Sequence, residues 1–164
     1  MKLAIAQELD AYLQANIPLI AAMQIKVSYF DGKCLRLSAP LAVNINDKQT
    51  AFGGSIATLA TITGWAMATL LAKQASGPNQ VVIAESKLRY LKPITDDFFA
   101  ECLRPVDSDL DSFCHDLNVK STAKLVLPVQ IKQGNKITAD FTGTYVASVN
   151  APPTSAACPM IFNE

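Results

Sequence analysis

The sequence predicts an α+β domain in which one curved antiparallel sheet wraps a single long buried helix. Three observations carry this expectation. No charged residue occurs from Gln49 to Ala72, and a helix without a polar face must be covered by something. A hairpin pattern precedes that run, and alternating segments follow it. The 164 residues are 50% hydrophobic and only 17% charged, enough for one domain with its own core.

The opening MKLAIAQELDAYL places Ile5, Leu9 and Leu13 on one face of an amphipathic helix over residues 1–16. Glu8 and Asp10 interrupt the apolar run that a signal peptide requires. Pro18 marks a break. Met23 to Phe30 alternates, with Ile25, Val27 and Tyr29 on one face, and Asp31-Gly32 is a tight-turn signal. Lys33 to Ala39 alternates again with Leu35 and Leu37 inward, and Pro40 closes the hairpin. The long helix runs from Gly54 to about Lys73, and Ala75-Ser76-Gly77-Pro78 ends it.

Val81 to Leu91 reads as a strand. Strict alternation puts Ile83, Glu85, Lys87 and Arg89 on one face and Val82, Ala84, Ser86, Leu88 and Tyr90 on the other. Pro93 ends it. Phe98 to Arg104 is a further strand, and Asp107 or Ser108 caps a short helix carrying Leu110, Phe113, Cys114 and Leu117. Lys124–Lys132 and Lys136–Val149 are two strands around Gln133-Gly134-Asn135. Residues 1–149 therefore form one domain, and 150–164, with Pro152 and Pro153, an irregular tail. A single sheet covers only part of so apolar a helix. The remainder calls for a partner subunit, in a homodimer or a dimer of such dimers.

Fourteen basic and fourteen acidic residues balance to zero net charge. With no basic stripe, nothing points to nucleic acid. The segment from Ala51 to Ala72 is long enough to span a bilayer. Gly53, Gly54, Ser55, Gly64 and four threonines dilute its apolar signal, so it reads as a core helix and the protein as cytoplasmic. Cys34, Cys102, Cys114 and Cys158 form no CxxC pair, and His115 is the sole histidine, so no zinc site is expected. Reduced thiols fit the missing leader. Asp96, Asp97, Asp107, Asp109 and Asp111 are turn and cap acids without metal-ligand spacing.

Asn46 followed by Phe52-Gly53-Gly54 resembles the Asn…His-Gly-Gly loop of phenylacetate-type thioesterases. Ser55 to Ala60 continues that family's helix, and Leu88-Arg89-Tyr90-Leu91-Lys92-Pro93-Ile94 resembles its strand-end pattern. The match spans roughly residues 20 to 148 by motif order. The arrangement looks like the hot-dog fold of acyl-CoA thioesterases and acyl-carrier-protein dehydratases. The Phe-Gly-Gly-Ser variant is similar to the thioesterase domain at the C-terminus of YiiD-type acetyltransferase proteins. Here the domain is expected to stand alone, since 164 residues leave no room for an acetyltransferase domain.

The resemblance implies hydrolysis of an acyl-CoA or acyl-carrier thioester, with coenzyme A entering as part of the substrate and no other cofactor. It implies that Asn46, Gly54 and Thr61 act on the thioester and its water. It also implies that Phe52, Gly53, Ser55, Thr58, Ser86, Tyr90 and Lys92 bind substrate. Two positions depart from the family. Phe52 stands at the usual histidine, and Thr61 at the usual helix carboxylate. A threonine hydroxyl is a poor general base, although it can orient water. A strand serine of some relatives falls at Ile83, with Ser86 nearby. Glu85 is the first acid to test.

Each assignment has a plainer reading. Gly53 and Gly54 allow close packing of the helix start, while a backbone N–H at Gly54 would polarise a carbonyl. Asn46 equally caps a loop, and Thr61 bonds its own helix. Trp65, Met67 and Leu70 line either core or acyl tunnel. Lys87, Arg89 and Lys92 are either a solvated strand face or a basic rim for phosphates. Two functions outside hydrolysis share the pattern. A non-catalytic acyl-thioester or lipid-binding dimer would keep the pocket without turnover. A dehydratase would need a histidine and an acid at the site, where His115 does not fall.

Overall fold

The computed structural model describes residues 2–149 apart from Pro78. The tail expected over 150–164, with Cys158, lies outside the described residues. The chain opens with α1 (Lys2–Asn16), whose Leu9 and Leu13 are fully buried while Ile5 is half-buried. The break at Pro18 proves to be the start of a short helix, α2 (Pro18–Ala22). Proline suits that first helical position because its missing N–H would have no partner there.

A hairpin follows, β1 (Lys26–Phe30) and β2 (Cys34–Ala39), turning at Gly32 with φ 86°. Leu35 and Leu37 are fully buried, as alternation requires. β1 departs from strict alternation. Its register shifts between Val27 and Tyr29, so Tyr29 turns out to solvent and Phe30 packs on the core in its place. An irregularity that inserts one residue moves every later side chain to the other face.

The long helix α3 (Gly53–Ser76) is followed by β3 (Gln80–Tyr90), β4 (Phe98–Leu103), α4 (Asp107–Lys120), β5 (Thr122–Gln133) and β6 (Lys136–Ser148). The sheet order is β1-β2-β4-β5-β6-β3, with every neighbouring pair antiparallel. β5 shows the alternation most clearly. Ala123, Leu125, Leu127, Val129 and Ile131 are buried, and the residues between them are exposed. These inward residues and the buried side of α3 form one core. The architecture is the hot-dog fold. α3 is long and apolar enough to cross a membrane, and 72% of its most apolar stretch is buried inside the fold.

An all-round apolar helix has little to fix its height against a sheet, because apolar contact is non-directional. Two directed bonds supply that. Tyr145 of β6 donates its hydroxyl to the Thr61 carbonyl at 2.9 Å, and the Trp65 indole N–H donates to the Val81 carbonyl at 2.7 Å. Tyr145 is fully buried, and a Cβ at Gly64 would lie 2.3 Å from its oxygen. A Cβ at Gly143 would lie 2.7 Å from its ring. The two glycines are the space that Tyr145 fills. Burial pushes the Tyr145 phenol well above its ordinary pKa, so it stays a donor.

On the outer sheet face Glu101 sits between Arg36, at 2.6 Å, and Lys132. Burial pushes its carboxyl up, but the bonds from Lys132 and Arg36 outweigh that and hold it below the ordinary range. Arg36 also lies over the Phe99 ring at 4.3 Å. Cys34 and Cys114 are half-buried free thiols, and Cys102 is buried, its thiol pushed up to about 12 chiefly by burial.

Candidate active site

The segment between β2 and α3 is organised by two asparagines. Asn44 is buried. Its amide donates to the Met23 and Pro40 carbonyls at 3.0 and 2.7 Å, and its backbone carbonyl accepts the Phe52 N–H at 2.7 Å. Sequence reasoning passed over it, because nothing in spacing separates it from Asn46. Asn46 uses its own side chain on the turn that follows. Its Oδ1 accepts from the backbone N–H of Lys48 and Thr50, and its Nδ2 donates to Thr50 Oγ1 at 2.9 Å and the Ala51 carbonyl at 3.4 Å. These bonds are the geometry of a loop cap.

The N–H of Ala51 then donates to the Ile94 carbonyl at 2.9 Å. This bond ties the entry of α3 to the segment that leaves β3. Between them lies an open groove of about 540 Å³. Gly53, Gly54, Tyr90 and Lys92 line it among the residues singled out from sequence, and Ile56 and Ile94 supply apolar walls. Phe52 is the N-cap residue and makes no side-chain cap. Consequently the backbone N–H groups of Gly53, Gly54 and Ser55 have no acceptor among the described residues, and the ladder begins with Ile56 donating to Phe52 at 3.1 Å. Free N–H groups at the positive end of a long helix suit an oxygen that gains negative charge.

The three threonines in the middle of α3 differ. Thr58 donates its hydroxyl to the Gly54 carbonyl at 2.9 Å, and Thr63 donates to Leu59 at 2.7 Å. Thr61 is half-buried, and its hydroxyl has no such partner among the described residues. At about 100° per residue, Thr61 lies about 20° from Gly54 around the helix axis and two turns further along. The helix face that starts at the groove therefore carries an uncommitted hydroxyl.

β3 requires a correction. Its register against β6 shifts between Ile83 and Glu85. Ile83 pairs with Tyr145, Ser86 with Gly143, Leu88 with Phe141 and Tyr90 with Ala139. Directly opposed residues share a face, so Ile83, Ser86, Leu88 and Tyr90 all belong to the helix side. Glu85, Lys87 and Arg89 belong to the outer side, where Arg89 faces Asp140. The bulge at Ala84 thus separates Ile83 from the charged residues with which strict alternation grouped it, and it turns Glu85 away from α3. Of the three cations weighed as a rim, Lys92 alone lines the groove. Trp65 sits at the edge of the core, stacked with Tyr12 at 6.4 Å, while Met67 and Leu70 are core residues. His115 is exposed on α4.

A sheet-wrapped helix with a groove at its first turn defines a thioesterase-like hot-dog protein. The chain belongs to the YiiD C-terminal thioesterase family, whose model, described as "Putative thioesterase (yiiD_Cterm)", matches residues 6–149. A "putative thioesterase" from Shewanella oneidensis is 34% identical, with TM-score 0.77 over 90% of this chain and 99% of that one. A protein of unknown function from Chlorobaculum tepidum is 28% identical, with TM-score 0.83 over 89% of this chain and 95% of that one. A "probable thioesterase" from Pseudomonas aeruginosa, 19% identical with TM-score 0.70 over 87% and 95%, shares the fold.

Proposed function

We propose that the chain hydrolyses an acyl-CoA or acyl-carrier thioester in the groove at the start of α3. The observation that carries this reading is the free N–H of Gly54 on the groove wall, on one helix face with the uncommitted Thr61 hydroxyl. The thioester carbonyl accepts from Gly54, and negative charge developing on its oxygen is stabilised there more than the neutral ground state is. Water is held by Thr61 and attacks the carbonyl carbon. The C–S bond breaks, one proton of the water passes to the departing sulfur, and a thiol and a carboxylic acid are released.

No Asp or Glu lines the groove among the described residues, which favours a second reading as an acyl-thioester binder without turnover. Thr61 separates the two. In a thiol-release assay over a panel of acyl-CoAs, run beside calorimetric binding, Thr61→Val keeps acyl binding and lowers kcat at least tenfold. Thr61→Asp raises hydrolysis, because a carboxylate can take a proton from water at neutral pH where a hydroxyl cannot. A folded Thr61→Asp protein with no gain, beside a Thr61→Val protein with no loss, removes Thr61 from the site and leaves the binder ahead.

The working unit in this proposal is a two-fold dimer. β3 is one of the two edge strands, eleven residues long, and it leaves Val82, Ile83 and Tyr90 exposed. Its free edge is a template for another strand, and a second copy would cover both that edge and the half-exposed stripe of α3. Light scattering at micromolar concentration then gives twice the mass of one chain; a stable monomer overturns the dimer.

A further inference from the structure

The peptide unit that joins Gly53 to Gly54 has two polar ends. One end is the Gly53 carbonyl, and the other is the Gly54 N–H. Because the unit is planar, fixing one end fixes the direction of the other. Tyr90 donates its hydroxyl to that carbonyl at 2.9 Å. It does so from the last residue of β3, across the groove wall that it shares with both glycines. On the other side, a Cβ at Gly54 would lie 2.4 Å from the Phe52 ring, and a Cβ at Gly53 would lie 3.3 Å from the Tyr90 oxygen. Each glycine is therefore matched to one aromatic side chain, and the peptide is held between them.

We propose that Tyr90, with Phe52 as its counterpart, is a positioning residue that orients and polarises the Gly54 N–H. The proposal rests on the thioester reading above and deepens it. A hydrogen bond to a peptide oxygen draws electron density toward that oxygen and makes the N–H of the same unit a stronger donor. The relay runs from the Tyr90 hydroxyl to the Gly53 carbonyl, through the peptide, to the Gly54 N–H and the thioester oxygen. No covalent bond changes along it. The Phe52 ring lies against Gly54 and occupies the space that a Cβ there would take. This assigns a purpose to the phenylalanine at position 52 that needs no acid–base chemistry.

The test uses Tyr90→Phe, which keeps the ring and removes only the hydroxyl. The expected result is a fall in kcat of about five- to tenfold with KM within twofold, the size of one lost hydrogen bond. In the substrate-free protein, the Gly54 amide proton resonance moves upfield, because its peptide is less polarised. The second arm is a rescue. Gly54→Ala lowers kcat, and adding Phe52→Ala restores only part of the loss, because the ring no longer meets the new methyl group but its contact on that side of the peptide is gone as well. Unchanged kcat and an unmoved Gly54 resonance in Tyr90→Phe overturn the proposal, as does a rise in KM alone, which would make Tyr90 a substrate contact only. If the native protein releases no thiol from any acyl-CoA while the Gly54 resonance still responds to Tyr90→Phe, the positioning stands and the thioester reading falls.

Discussion

Replacing Gly54 with proline lowers kcat/KM for thioester hydrolysis by about 100- to 1000-fold, or roughly 2.7–4 kcal/mol, as loss of one oxyanion donor does elsewhere. Proline removes the N–H, and the first turn of a helix tolerates it because that donor has no partner within the helix. Phe52 complicates the experiment, since any Cβ at position 54 meets its ring. The comparison is therefore made in the Phe52→Ala background, between Gly54→Ala and Gly54→Pro. Both carry a Cβ, both lack the ring, and they differ in the N–H. Circular dichroism and thermal melting confirm that each is folded. Equal activity in the pair removes the Gly54 N–H from the reaction.

Gly64→Ala destabilises the fold by about 2–4 kcal/mol, combining overpacking with the loss of a buried hydrogen bond. The new Cβ lies 2.3 Å from the Tyr145 oxygen and 2.7 Å from the neighbouring ring carbon. Tyr145 cannot retreat, because it is fully buried and its ring already fills the space beside Gly143. At roughly 2–4 °C per kcal/mol for a domain of this size, the melting temperature falls by about 6–12 °C for a mid-range loss of about 3 kcal/mol. Tyr145→Phe in the same background recovers part of the loss, since the atom nearest the new methyl is then gone. A melting temperature within 2 °C of the native value would mean that the helix slides or the ring rotates at little cost, and that Tyr145 does not set the height of α3.

The limits of alternation show where sequence stops. In β2 and β5 the buried residues fall on every second position, and Leu35, Leu37 and Leu127 are where period two puts them. In β1 and β3 one inserted residue changes the phase. Tyr29 leaves the face that alternation gave it with Ile25 and Val27, and Ile83 joins Ser86 on the helix side. A bulge has no compositional mark here. Ala84 and Ser28 are ordinary strand residues, and the irregularity becomes visible only when a partner strand supplies the register. The same applies to Glu85, whose direction depends on which side of Ala84 the extra residue is counted.

Glycine had the opposite property. Gly53-Gly54 was legible as the entry of the buried helix because of where it stood, at the head of an uncharged run, and it lines the groove there. The reason for Gly53 and Gly64 was not legible, because it lies in Tyr90 and Tyr145, far away in the chain. Tyr90 is 37 positions from Gly53, and Tyr145 is 84 from Thr61. The threonines behaved likewise. Thr58 and Thr61 are indistinguishable as letters, yet one hydroxyl is bonded to its own helix and the other is not.

The sequence by itself determined the elements and the fold: an uncharged segment that must be enclosed, alternating segments able to enclose it, and a glycine pair at its entry. These follow from hydrophobic burial and backbone geometry, which are local and periodic. The tertiary structure alone decided the rest: which face of β3 meets α3, which donors remain free at the first turn, and which aromatic side chain each glycine accommodates. Those depend on register and on contacts between residues distant in sequence, and a single hydrogen bond acts over about 3 Å whatever the spacing along the chain.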